Sequence, residues 1–92
     1  MIKEPLSKQD AVRLGRRILT DGVYRFSRHA DDELAKDDMT QVDAVNVIRG
    51  GSVQEIDFEH GTWRYRFETL KMAVVVAFPD EATMKVVTAW RK

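Results

Sequence analysis

Thr62-Trp63-Arg64-Tyr65-Arg66-Phe67, then Met72-Ala73-Val74-Val75-Val76-Ala77-Phe78, then Lys85-Val86-Val87-Thr88-Ala89-Trp90-Arg91, is the run that decides the fold. The first segment alternates, with Trp63, Tyr65 and Phe67 on one face and Thr62, Arg64 and Arg66 on the other, which is the period of a half-buried strand. The second does not alternate and reads as a strand covered on both faces, hence central. The third follows a Pro79-Asp80 turn signal, so the three pair most simply as an antiparallel meander. In the third segment strict alternation puts Val86, Thr88 and Trp90 on one face and Lys85, Val87, Ala89 and Arg91 on the other.

Working outward, Ser52 to Phe58 sets Val53, Glu55 and Asp57 against Gln54, Ile56 and Phe58, and is the strand that enters the sheet through the His60-Gly61 corner. Upstream lie helical signals. Ser7 is an N-cap with Asp10 three residues on, and Ala11, Val12, Leu14, Ile18 and Leu19 give helical spacing up to Asp21-Gly22. Val23 to Ser27 is long enough only for a short strand or an extended connector, with Val23 and Arg25 opposite Tyr24 and Phe26. Ser27 caps a short second helix with Ala30 and Leu34 on its buried stripe, ending by Asp37-Asp38. Thr40 with Asp43 starts a third helix through Val42, Ala44, Val45, Val47 and Ile48, and Gly50-Gly51 stops it in the left-handed conformation glycine favours. The expected architecture is α+β: N-terminal helices on one face of a curved, mainly antiparallel four-stranded sheet, in a single domain over residues 1–92.

Ninety-two residues, 43% apolar and 33% charged, are ordinary for a globular chain. Without cysteine, disulfides and cysteine-based zinc sites are excluded, and no 18-residue apolar run or signal peptide is visible, so a soluble, cytoplasmic protein without a membrane partner is expected. The net charge is zero but unevenly spread. Residues 1–30 hold seven Lys/Arg and three Asp/Glu, residues 31–60 two and nine, and residues 61–92 six and three, giving +4, −7 and +3. If the first and last thirds meet, one side of a neutral molecule is basic, and local field steers an anion there.

Among candidate residues, His29 stands beside Arg28 at a helix start, where a neutral imidazole can serve as general base and a guanidinium can stabilise an oxyanion. Arg64 and Arg66 project from one strand face about 7 Å apart, a spacing suited to successive phosphates. The competing expectation is that both pair with Glu55, Asp57 and Glu59 across the strand. Trp90 can stack on a base or fill the core, and Arg91 can reach a phosphate or end in solvent. Asp31, Asp32, Glu33, Asp37 and Asp38 with His29 raise a metal nuclease, but no ligand spacing is matched and acids in a first helical turn already serve the helix dipole. No metal or other cofactor is expected. Met1, Met39, Met72 and Met84 make no stripe and read as gap fillers.

The order Ser27-Arg28-His29-Ala30, the Met39-Thr40 helix start, Gly50-Gly51, Trp63 to Phe67, Val74 to Val76 and Val86-Val87-Thr88-Ala89-Trp90 resembles a bacterial uncharacterised-domain family. Its members begin with a His-Ala motif ahead of a short helix and end on a Val-Thr-aromatic strand. That family is similar in turn to RelE/ParE-like and BrnT-like toxins. The resemblance covers about residues 23 to 91. It implies a metal-independent endoribonuclease of a toxin-antitoxin pair, with RNA as substrate and a cognate antitoxin protein as partner. His29 and Ala30 match the His-Ala motif, and Arg64 and Arg66 fall where such toxins carry a functional arginine. Glu33 departs from the arginine common in members. The expected catalytic set is His29, Arg64 and Arg66, with Arg28, Trp90 and Arg91 binding substrate; the alternative is a non-catalytic binding module using the same basic face.

Overall fold

The computed structural model describes residues 2–92; Met1, one of the scattered methionines, lies outside them. Helix α1 is Lys8–Asp21, strand β1 Val23–Phe26, helix α2 Arg28–Lys36 and helix α3 Gln41–Gly50, followed by β2 Ser52–Glu59, β3 Thr62–Glu68, β4 Met72–Asp80 and β5 Thr83–Arg91. The expected α+β architecture is present. The sheet, however, has five strands in the order β1-β5-β4-β3-β2, and it is mixed. The expected four-stranded, mainly antiparallel meander accounts for β2 to β5, while the short segment at Val23 is a true edge strand, parallel to β5. Four residues suffice because the α1–β1 turn delivers Val23 onto Ala82, whose carbonyl accepts the Val23 N–H.

Each helix begins as its sequence dictates. Ser7, Ser27 and Thr40 accept the N–H of Asp10, Ala30 and Asp43, and Thr40 with Asp43 completes a reciprocal capping box. Asp38, at φ 57°, takes the left-handed position after α2. Gly51 does not act as expected, since its φ is −87°. Glycine is required there for space: a Cβ would lie 2.6 Å from the carbonyl oxygens of both Glu68 and Val47. His60 (φ 50°) and Gly61 (φ 76°) form the two-residue β2–β3 turn. The β4–β5 turn falls two residues beyond Pro79, at Glu81-Ala82, where Asp80 Oδ1 accepts the Ala82 N–H.

The helices bury Ala11, Ile18, Ala30, Leu34, Ala44, Val47 and Ile48 against one sheet face carrying Tyr65, Phe67, Val74, Val76, Met84 and Val86. A Cβ at Gly15 would stand 3.0 Å from Phe67 Cζ, so the missing side chain lets α1 settle onto that ring. Two β-bulges set which residues face the helices. At Gln54 the register shifts, so Val53 pairs with Phe67 and Ile56 with Tyr65, while Glu55 and Asp57 face the other way opposite Arg66 and Arg64. At Val87 it shifts again, leaving Val86 and Ala89 in the core and turning Thr88 and Trp90 to the uncovered face. The strict alternation expected for both strands is therefore corrected. β4 is the middle strand, as expected, but no helix covers its second face; Ala73 and Ala77 are buried there because longer side chains on β3 and β5 flank them.

Candidate nucleic-acid interface

Arg64 and Arg66 project from the uncovered face, and the cross-strand acids engage them. Arg66 Nη2 lies 2.7 Å from Glu55 Oε2, and its Nε lies 2.5 Å from Glu68 Oε2, off the N–H axis, so that contact is Coulombic rather than a hydrogen bond. Arg64 Nη1 is 3.4 Å from Glu59 Oε2, a weak contact that leaves its buried Nε without an acceptor. Lys92 Nζ donates to Glu68 at 2.6 Å, and this bond, with Arg66 behind it, lowers the Glu68 carboxyl below its ordinary range. Glu55, Arg66, Glu68 and Lys92 thus form one chain of charges holding β2, β3 and the C-terminus together. Arg66 has a structural occupation, and Arg64 only part of one.

His29 sits elsewhere. It is the second residue of α2, exposed, on a helix that packs over β5 on the covered face. Ser27 fixes the helix start by accepting from Ala30 N–H while donating its hydroxyl proton to the Val87 carbonyl at the bulge. The expected sharing of one phosphate by His29, Arg64 and Arg66 is not what this fold provides, because the sheet stands between them.

A different set of cations belongs to the β1 edge, with Arg25 and Lys85 on the uncovered face and Arg28 beside His29 at the head of α2. Arg25 on β1 and Lys85 on β5 are register partners in the parallel pair, and Arg28 follows Arg25 by three residues at the head of α2. All are exposed, and among the described residues the side chains of Arg25, Arg28, His29 and Lys85 take part in no hydrogen bond or ion pair. The first and last thirds of the chain meet here, and the acidic β2 forms the opposite edge. Cations of α1 are largely committed to the frame: Arg16 donates to the carbonyls of Ile48 and Gly51, Arg17 to that of Glu81, and Arg13 pairs with Asp10.

Arg25 and Lys85 carried no role in the expected site. Alternation places Arg25 opposite the apolar Tyr24 and Phe26, but only the parallel β1–β5 pairing sets it beside Lys85, and no local pattern encodes that long-range register. Arg91, expected to reach a phosphate or end in solvent, makes a structural contact. Its guanidinium donates to the Asp37 carbonyl and its N–H to the Asp37 carboxylate, so it ties β5 to the end of α2. Trp90 is half-buried on the open face, where it walls a cleft of about 220 Å³ with Asp57, Glu59, Arg64, Arg66, Val75 and Thr88.

Among the described residues no three His, Asp or Glu side chains converge as a metal site would need. Asp31 accepts from Gln41, Glu33 pairs with Lys36, and Asp37 holds Arg91. Tyr65 is fully buried: its hydroxyl donates to Glu4 and accepts the Leu6 N–H, and burial pushes its pKa up to about 12.

These features define a small α+β protein with helices on one face of a mixed five-stranded sheet, an uncovered second face and a basic edge. Comparison with known protein families, curated proteins and solved structures finds no match. Among the described residues no helix is long and apolar enough to cross a membrane.

Proposed function

We propose that this chain is a toxin-like, metal-independent endoribonuclease acting on RNA in the cytoplasm, and that its substrate phosphate lies at the β1–α2 corner rather than over Arg64 and Arg66. The observation that supports this is a run of cations at the β1 edge, all unpaired among the described residues: Arg25 and Lys85 side by side on the uncovered face, and Arg28 next to the exposed His29 at the head of α2. Guanidinium groups not committed to internal carboxylates keep their full donor set for phosphate oxygens. In the reaction, His29 takes the proton of a ribose 2′-hydroxyl as its oxygen attacks the adjacent phosphorus. The bond from phosphorus to the 5′-oxygen breaks, leaving a 2′,3′-cyclic phosphate and a 5′-hydroxyl that takes its proton from water. Arg28, next to His29, stabilises the added charge on the phosphorus oxygens, and Arg25 and Lys85 hold flanking backbone phosphates. An activity of this kind implies a cognate antitoxin protein to hold it in check.

One observation favours a second function. Among the described residues His29 has no hydrogen-bond partner to orient its ring, and a general base is normally so held. A binding module would use the same cations to grip RNA without cutting it. Induced expression of the wild type and of His29→Ala, with growth and RNA integrity followed, separates the two. Arrested growth with fragmented RNA in the wild type, relieved by His29→Ala, is the expected result. Intact RNA with the wild type leaves binding alone, and equal toxicity of His29→Ala removes His29 from the mechanism.

A further inference from the structure

The uncovered face of the sheet has a groove along β4. Its floor is Ala73, Val75 and Ala77, side chains short enough to lie below their neighbours. Cross-strand register sets Arg66 and Thr88 on either side of Val75, and Glu68 and Trp90 on either side of Ala73. The walls therefore stand two strand spacings apart, roughly 10 Å. One wall carries an indole and a threonine hydroxyl. The other carries arginines, with the carboxylate of Asp57 next to Arg64 as its register partner on β2.

Two groups at this cleft are not satisfied. Arg64 makes one long contact to Glu59 and has a buried Nε with no acceptor. Asp57 lines the same cleft, and its carboxylate takes part in no ion pair or hydrogen bond among the described residues. A donor with spare capacity thus stands beside an acceptor with both oxygens free, in a cleft that the Trp90 ring also lines, further along the groove. A flat heterocycle could stack on Trp90 and present a matching edge to the pair.

We propose that this cleft is a subsite for a single unpaired guanine of the RNA, an inference that rests on the RNA-directed function above. Guanine presents two adjacent N–H donors, N1 and N2, which match the two oxygens of Asp57, and beside them the O6 acceptor, which matches Arg64. Cytosine offers one donor beside two acceptors and adenine one beside one, so neither fills the carboxylate. Base edges splayed from single-stranded RNA are read in this manner, by stacking and by their Watson–Crick groups. Lys85 lies on the same open face of β5 as Thr88 and Trp90, which places the subsite and the basic corner along one surface.

The test is fluorescence anisotropy with labelled five-nucleotide RNAs of one adenosine context, carrying guanosine, inosine, adenosine or cytidine at the centre. Inosine lacks only the N2 donor. The wild type should bind the guanosine RNA about tenfold or more tightly than the inosine one, as expected for one hydrogen bond to a carboxylate. Asp57→Asn should bring the guanosine and inosine affinities together, and since Asp57 is exposed on an edge strand the variant keeps its fold. Trp90→Leu should weaken all four RNAs by roughly 5- to 100-fold through lost stacking. Equal binding of guanosine and inosine RNAs by the wild type, or a preference that survives Asp57→Asn, overturns the guanine subsite while binding at the corner stands. If none of the RNAs binds, the RNA-directed function fails and the subsite with it.

Discussion

Tyr65→Phe isolates how the N-terminal segment is fastened to the core. The Tyr65 hydroxyl is wholly buried, donates to Glu4 Oε2 at 2.8 Å and accepts the Leu6 N–H at 3.0 Å. Removing the oxygen leaves the ring in place and strands the Leu6 donor in a partly buried position. An orphaned donor of this kind costs about 1–2 kcal/mol, at the lower end of the range because water can approach. For a domain this size each kilocalorie lowers Tm by about 4–8 °C, and the urea midpoint should fall by roughly 1 M. Alkali provides a second readout. The folded-state pKa is raised from 10.0 to about 12, first by burial and then by Glu4, against the lowering effect of the Leu6 bond. The group thus ionises more readily when unfolded. Its contribution is fully present below pH 10 and is lost progressively as pH rises toward 12. Urea titrations of both proteins from pH 8 to 12 should show the wild type losing its advantage over Tyr65→Phe across that window. A difference below about 0.3 kcal/mol at pH 8, or parallel curves up to pH 12, would refute the fastening.

Three other perturbations follow from the same contacts. Ser27→Ala removes both the α2 cap and the bond to the Val87 carbonyl, and chemical denaturation should show a loss of about 1–2 kcal/mol, above that of a cap alone. Glu68→Gln should flatten the acid limb of stability. Because Lys92 and then Arg66 lower the folded carboxyl pKa, its contribution is present above the unfolded value near 4.5 and is lost as pH falls through the folded one, which thermal melts from pH 7 to 2 will register. Gly51→Ala should destabilise by several kilocalories or prevent expression in soluble form, since its Cβ would meet two backbone oxygens at 2.6 Å; melting that matches the wild type would show the α3–β2 junction to be looser than described.

The sequence was most legible where the pattern is local. The caps at Ser7, Ser27 and Thr40, the turn at His60-Gly61 and the alternation from Trp63 to Phe67 all encode their structure within a few residues. Bulges escaped, because a single inserted residue at Gln54 or Val87 leaves composition unchanged while reversing every side chain beyond it. That reversal explains why Glu55 and Asp57 oppose the arginines and why Trp90 lies on the uncovered face. The parallel β1–β5 pair escaped for a different reason: it joins residues 60 apart, and nothing near Arg25 names Lys85 as its neighbour. His29 is the helix-start residue that the Ser27 cap implies. Its neighbours in space are not legible locally, since a strand face says which side chains travel together but not which side of the sheet a distant helix will cover.

The central claim, that the β1–α2 corner grips an RNA backbone, is tested most directly by the salt dependence of binding. Anisotropy of a labelled single-stranded RNA should be followed over a range of salt for the wild type and for the triple variant Arg25→Ala, Arg28→Ala, Lys85→Ala. For single strands the logarithm of affinity falls by about 0.7 per phosphate contacted for each tenfold rise in salt. Three lost contacts should make the slope shallower by about 2, with weaker binding at low salt. An unchanged slope and affinity in the triple variant would contradict the claim and move the interface elsewhere on the molecule.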